Sequence, residues 1–233
     1  MLLIPLQHSG ATYIRELPIQ NQSNIDYNDG YYRARLQVLA GLDDMVSELV
    51  TALDNYGILD NTFIIYTTDN GFHIGQHRLQ PGKSCPYDTD INIPLIIRGP
   101  GVPRNKTTDI VTTHTDLAPT FFDIFEIPLR PDFDGIPIPL TARGVSKAAH
   151  DRPEHVNVEY WGFADITEGA YGLLPGFGSN AYYSTYKAVR IYGKGYNLLY
   201  TVWCTNEHEL YVNLSFILNQ SIKALLMWKP SRT

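Results

Sequence analysis

Basic charge is scarce in this 233-residue chain: 18 Lys and Arg stand against 24 Asp and Glu, a formal net charge of −6. With no basic cluster to neutralise phosphates, nucleic acid is not an expected partner. Cysteine is rarer still. Cys85 and Cys204 lie far apart in sequence and neither demand nor exclude a disulfide. No run of about 18 apolar residues occurs, so neither a membrane-spanning helix nor a membrane partner is expected. The apolar start, Met1 to Leu6, is too short for a signal peptide and lacks a basic opening and a small-residue cleavage site. Internal repeats are absent as well.

What is present suffices for a sizeable core, in one large domain or a domain and a half. Sixteen tyrosines and three tryptophans point to an aromatic-rich, polar-rimmed surface. Residues 31–57 place Leu36, Leu39, Leu42, Met45, Val46, Leu49, Val50 and Leu53 at helical spacing, which predicts a long amphipathic helix stopped near Gly57. A β-rich run over 62–67 follows, then a second over 93–98 closed by Gly99-Pro100-Gly101. A helix feeding buried, parallel-type strands is the doubly wound α/β pattern. Residues 109–113 predict a further short strand, and 116–125 a helix whose first turn tolerates Pro119. Residues 130–143, rich in proline and aspartate, predict a surface connection. Beyond Asp151 the pattern turns to strands without helices, at 155–160, 182–192, 196–203 and 209–212, with Gly193-Lys194-Gly195 as a hairpin turn.

The chemistry concentrates where the first β-rich run ends on Asp69-Asn70-Gly71. Ligands of open α/β sheets bind beyond the carboxyl ends of strands, and a carboxylate beside an amide carbonyl suits a hard cation such as calcium or magnesium. The same three residue types also make an ordinary turn. Gly82-Lys83-Ser84 lies a short loop downstream, and Tyr87-Asp88-Thr89-Asp90-Ile91 leads into the next strand.

This constellation resembles the sulfatases of the alkaline-phosphatase superfamily, of the fungal arylsulfatase and N-acetylglucosamine-6-sulfatase type. Residues 13–18 and 26–36, the His114-Thr-Asp-Leu-Ala-Pro-Thr120 segment, and residues 196–200 and 202–211 extend the likeness over about residues 12–214. The resemblance implies an α/β fold: part of an alkaline-phosphatase-like mixed sheet flanked by helices, with a small C-terminal antiparallel β subdomain. On that reading, residues 1–150 are the C-terminal part of the catalytic domain, 151–214 the antiparallel subdomain, and 215–233 an atypical tail. It further implies that Asp69 and Asn70 are two oxygen ligands of a calcium ion. Lys83 would grip the sulfate and act in catalysis, and His73 would contact substrate. The implied partner is a small sulfate ester or sulfated sugar. The implied location of the complete parent is secreted or lysosome- or vacuole-like. Four sequons, at Asn21, Asn105, Asn213 and Asn219, agree with a secretory parent.

The family's nucleophile is a formylglycine made from the cysteine of a Cys-x-Pro-x-Arg motif. Neither cysteine qualifies, because Cys85 is followed at once by Pro86 and Cys204 by Thr205. No segment matches the family's N-terminal acidic ligands or its upstream histidine, and His8 stands too close to the 14–18 segment to serve. The expectation is therefore the C-terminal portion of a sulfatase, inactive alone. Two other readings stay open: a phosphoester or phosphonate hydrolase of the same superfamily, and a non-catalytic remnant that binds anions or carbohydrate. His73 and His77 either line the substrate entrance or hydrogen-bond within their loop. His114 reads as a structural neighbour of a helix cap, and Arg98 as the partner of an acidic residue.

Overall fold

A computed structural model describes residues 11–161 and 185–212. His8, the sequons at Asn213 and Asn219, and the atypical tail fall outside the described residues. Chain order runs through the single turn α1 (Thr12–Arg15), the long helix α2 (Gln22–Asn55), and strand β1 (Ile64–Thr67). It continues through α3 (Asp88–Ile91), β2 (Leu95–Arg98), α4 (Leu117–Ile124) and α5 (Ala142–Asp151). Four strands close it: β3 (His155–Tyr160), β4 (Tyr186–Gly193), β5 (Tyr196–Trp203) and β6 (His208–Val212). This is the expected α/β class with a C-terminal antiparallel sheet. Among the described residues, no helix is long and apolar enough to cross a membrane.

Helix α2 begins nine residues before the periodicity predicts. Its first two turns are mostly polar, with Ile25 and Tyr27 too few to set a period, but Asn21 caps them by accepting a 3.0 Å hydrogen bond from Asn24 N. The helix ends at Asn55 with Tyr56 as its C-cap, and Gly57 (φ +68°) supplies the left-handed stop. The residues it buries are Asn24 and Asn28, not its apolar stripe. Leu36, Leu39, Met45 and Leu49 are 40–58% exposed.

Strands β1 and β2 pair antiparallel, Ile64 opposite Arg98 and Thr67 opposite Leu95, which corrects the parallel-type expectation. The connecting excursion doubles back through a His73–Gly82 bridge, so β2 enters beside β1 from the opposite direction. β1 is half-buried throughout instead of buried, since β2 is its only sheet neighbour among the described residues. Gly99 closes β2 against Phe63: a Cβ there would lie 2.2 Å from the ring. Arg98 pairs with Asp60 at 3.4 Å and also donates to Leu59 O at 2.6 Å.

Residues 109–113 form no strand, which corrects that expectation; they have no ladder partner and run irregularly into a 3-10 turn, His114–Asp116. Thr113 and Asp116 make a reciprocal capping box ahead of α4. Asp116 does more than cap. Its carboxylate also accepts from Ile136 N at 3.0 Å and pairs with Arg152 at 2.6 Å, both side chains nearly buried. That pair fastens the irregular 126–140 connection, which ends earlier than expected because Thr141 caps α5 through Gly144 N.

The C-terminal strands form one antiparallel meander in sequence order, β3-β4-β5-β6. Lys194-Gly195 makes the tight turn, with Gly195 at φ +90°. The buried cluster joins both parts of the chain: Tyr186, Ala188, Leu199 and Trp203 from the meander pack with Ala11, Ile14, Leu17, Leu79, Cys85 and Tyr87. Glu209, 4% exposed, sits among them. Its carboxylate accepts from Trp203 Nε1 (2.9 Å), Tyr211 OH (3.1 Å), Tyr87 OH (3.4 Å) and Ala11 N (3.5 Å). A buried carboxylate is tolerated only with such donors.

Candidate functional site

β1 delivers the chain to Asp69-Asn70-Gly71 at its carboxyl end, and a local hydrogen-bond set shapes the corner. Thr68 Oγ1 donates to Asn70 O (2.9 Å), and Asp69 Oδ1 accepts from Asn70 N (3.0 Å). Gly71 cannot carry a side chain, because a Cβ would meet Thr89 O at 2.0 Å. That close approach lets Gly71 N donate to Asp90 O and Phe72 N to Thr89 O, each at 2.7 Å. The corner is thereby stitched to the segment that follows Lys83.

Lys83 reaches back across the 13-residue separation and donates from Nζ to Asn70 Oδ1 at 3.3 Å. Its position is set from both sides. Gly82 exchanges backbone hydrogen bonds with His73 (2.9 and 3.0 Å), and Cys85 N donates to Asp90 Oδ2 (2.8 Å). Between them Ser84 takes φ +82°, a left-handed conformation that costs a non-glycine residue about 1–2 kcal/mol and accumulates at functional loops.

Asp69, Asn70 and Lys83 all line one cleft of about 1170 Å³. Its far walls come from the 108–114 segment and from β3, β4 and β5. Asp69 is exposed and Asn70 half-buried, so two oxygen donors stand at the lip beside a cationic head. This donor set fits a hard divalent cation, though two side chains are well short of the six to eight oxygens calcium takes.

His73 lies elsewhere. Expected as a substrate contact, it is instead 4% exposed and inside the loop. Its Nδ1 sits 2.9 Å from both oxygens of Asp90. Of the two readings open for it, hydrogen bonding within the loop describes this placement. His77 adopts φ +55° and stacks on Tyr87, ring centroids 3.8 Å apart. Desolvation lowers its pKa, opposed by the nearby Glu209 carboxylate.

Two cleft residues escaped the sequence reading. His114 was assigned to the helix start, but it lines the cleft with Nε2 3.5 Å from Thr67 Oγ1. Arg190 comes from β4 and brings a second cation into the wall, where Nε donates to Asp88 Oδ1 at 2.8 Å. No local motif marks an arginine in an antiparallel strand as a site residue. Asp90 carries no sequence signal beyond its place in the approach to a strand, yet it organises the loop. Tyr186 packs in the same buried cluster as Cys85, and burial pushes its phenol pKa well up, with Cys85 and Asp90 adding to the effect.

A family model described as Sulfatase matches residues 7–127. The chain is 42% identical over 200 residues to sulfatase ppz1 of Metarhizium majus, covering 85% of this chain and 40% of that protein. It is 35% identical over 208 residues to human N-acetylglucosamine-6-sulfatase, covering 84% of this chain and 37% of that one. An enzyme solved in complex with its substrate D-glucosamine-2-N,6-O-disulfate superposes with a TM-score of 0.67 at 24% identity, over 84% of this chain and 36% of the other. The chain thus spans well under half the length of each of these three proteins.

Proposed function

The chain belongs to the sulfatase family, and from that premise we propose that it supplies the Asp69–Asn70–Lys83 part of a sulfuric ester hydrolase site. The observation that carries the reading is the meeting of Lys83 Nζ with Asn70 Oδ1, beside Asp69, at the carboxyl end of β1 on an open cleft.

Hydrolysis of a sulfate ester requires neutralised sulfate oxygens, an in-line oxygen nucleophile and a stabilised leaving alkoxide. Lys83 donates from Nζ to Asn70 Oδ1. Its ammonium charge would meet a sulfate oxygen or the bridging oxygen, where negative charge grows as the ester bond breaks. Asn70 holds that ammonium in place, and the carboxylate of Asp69 with the amide oxygen of Asn70 would hold the calcium ion from this side. When bound, the cation supplies Lewis-acid polarisation of the sulfate oxygens. His114 and Arg190 stand on the cleft walls where the alcohol portion of the ester would lie.

The nucleophile is not among these residues, since neither cysteine lies in a Cys-x-Pro-x-Arg context. The 233 residues alone are therefore inactive, and a complete enzyme acts on aryl or sugar sulfate esters. Two described sequons, Asn21 and Asn105, are exposed, in keeping with a secreted or vacuolar enzyme.

The test compares two polypeptides on a chromogenic aryl sulfate. These residues alone should be no faster than buffer. Joined to an N-terminal sulfatase segment bearing the formylglycine motif, they should turn over and lose about 10²–10³-fold in kcat/KM on Lys83→Ala. Asp69→Ala should raise the calcium needed for activity. Undiminished turnover by the Lys83→Ala protein removes the proposal.

A further inference from the structure

We propose that His73, Cys85 and Asp90 form a second cation site, distinct from the oxygen corner at Asp69 and Asn70, that takes a borderline-soft divalent ion of the zinc class. Donor atoms of the three side chains lie within 4.8 Å of one another. The residues are 4%, 6% and 5% exposed, and Cys85 is not in a disulfide. A thiolate, an imidazole and one carboxylate make a zinc-type donor set, whereas calcium takes oxygens. The cluster therefore cannot be the calcium site displaced; its chemistry is different.

The geometry is close to what zinc needs. His73 Nδ1 stands 2.9 Å from both Asp90 oxygens, within hydrogen-bond distance. Two ligands of a tetrahedral zinc, each about 2.0–2.1 Å from the ion, sit about 3.3 Å apart. Opening the pair by a few tenths of an ångström makes room for the ion. Three protein ligands leave a fourth position, and Cys85 and Asp90 both border the cleft, so water reaches it from there. The outer partners are already in place: Cys85 N and Thr89 Oγ1 donate to the Asp90 carboxylate at 2.8 and 3.1 Å and orient it. Left-handed Ser84 separates the two tasks of this short stretch, with Lys83 serving the cleft corner and Cys85 the buried cluster.

Occupancy has a consequence for the neighbouring corner. Asp90 holds Gly71 through its backbone oxygen, and Cys85 lies two residues from Lys83. An ion on His73, Cys85 and Asp90 ties both limbs of the loop that presents Asn70 and Lys83. The inference stands on the donor set alone and does not need the chain to be a sulfatase.

The 233-residue chain, stripped of metal with a chelator, is titrated with zinc against a chromophoric competitor. One equivalent should bind, unaffected by millimolar calcium, and Cys85→Ser should weaken it about 100-fold or more. Cobalt in place of zinc should give a thiolate charge-transfer band that Cys85→Ser abolishes and Cys204→Ser, at the exposed cysteine, leaves intact. A measurement on the unaltered chain guards against a misfolded variant: zinc, and not calcium, should protect Cys85 from a thiol-alkylating reagent, read by peptide mass. Absence of stoichiometric zinc binding overturns the site. So does zinc binding that survives Cys85→Ser at equal affinity, or unprotected alkylation of Cys85 in saturating zinc.

Discussion

The C-terminal meander and the helical N-terminal portion both carry regularly spaced apolar residues, yet they end in different states. In the meander, strands adjacent in sequence are adjacent in space, β3 to β6 in order, and Trp203 and Leu199 are each 2% exposed. In α2, the apolar stripe stays 40–58% exposed at Leu36, Leu39, Met45 and Leu49, and among the described residues β1 has a single strand beside it. The difference is one of range. β4, β5 and β6 are joined by short turns and find their partners within a few residues, whereas β3 reaches β4 across residues 161–185, and a long helix needs surface from distant segments. The chain's share of its relatives' length, 40% or less in each case reported, accords with a helix face and strand edges whose partners are distant.

The largest expected effect that would break this contrast is Trp203→Ala. Removing a fully buried indole should cost about 3–5 kcal/mol, read as a fall in the urea midpoint. If the loss is under about 1 kcal/mol, the meander is not the stable part. Next is Glu209→Gln, which keeps the shape but turns a four-fold acceptor into a group with two donors of its own. About 1–3 kcal/mol should be lost, and near-ultraviolet circular dichroism of Trp203 should change with it. A smaller effect belongs to His77, which links the corner loop to the meander through Tyr87. Its folded pKa lies below the ordinary 6.5, so the unfolded chain binds the proton more readily. Its contribution to stability is complete above that value and is lost as pH falls through it toward the folded pKa. The drop in melting temperature between about pH 7.5 and pH 5.5 should be shallower in His77→Phe, which retains the stack; an identical slope would remove His77 from the account. The smallest effect is Met45→Gln on the open face of α2, within about 0.5 kcal/mol. A core-sized loss there would mean that the stripe is covered after all.

Particular residues show where reading the sequence stops. The Asp69-Asn70-Gly71 corner and Lys83 were legible because strand end, turn and loop lysine lie close together in sequence, and the corner forms from its own hydrogen bonds. β3 and β5 were legible to the residue, since alternation and a Gly-rich turn are local signals. The antiparallel sense of β1 and β2 was not, because it depends on how the 71–90 loop folds back. Nor was the burial of His73: a histidine near a site corner has the same sequence signature whether it faces the cleft or a carboxylate behind it. Arg190 and His114 enter the cleft through pairings across 102 and 47 residues, a range over which no periodicity operates.

By itself, the sequence determined the long helix, strands β3 and β5, the acidic balance, the corner with its lysine, and that neither cysteine lies in a Cys-x-Pro-x-Arg context. All of these follow from neighbours along the chain, where backbone geometry and side-chain chemistry act within a turn or a hairpin. Tertiary structure alone decided that Asp90 joins Gly71 and His73, and that Glu209 gathers donors from two distant segments, at Ala11 and Tyr87. It also decided that the stripe of α2 stays open. Buried polar groups require partners wherever the fold can bring them, so which residues meet is settled by packing and not by spacing.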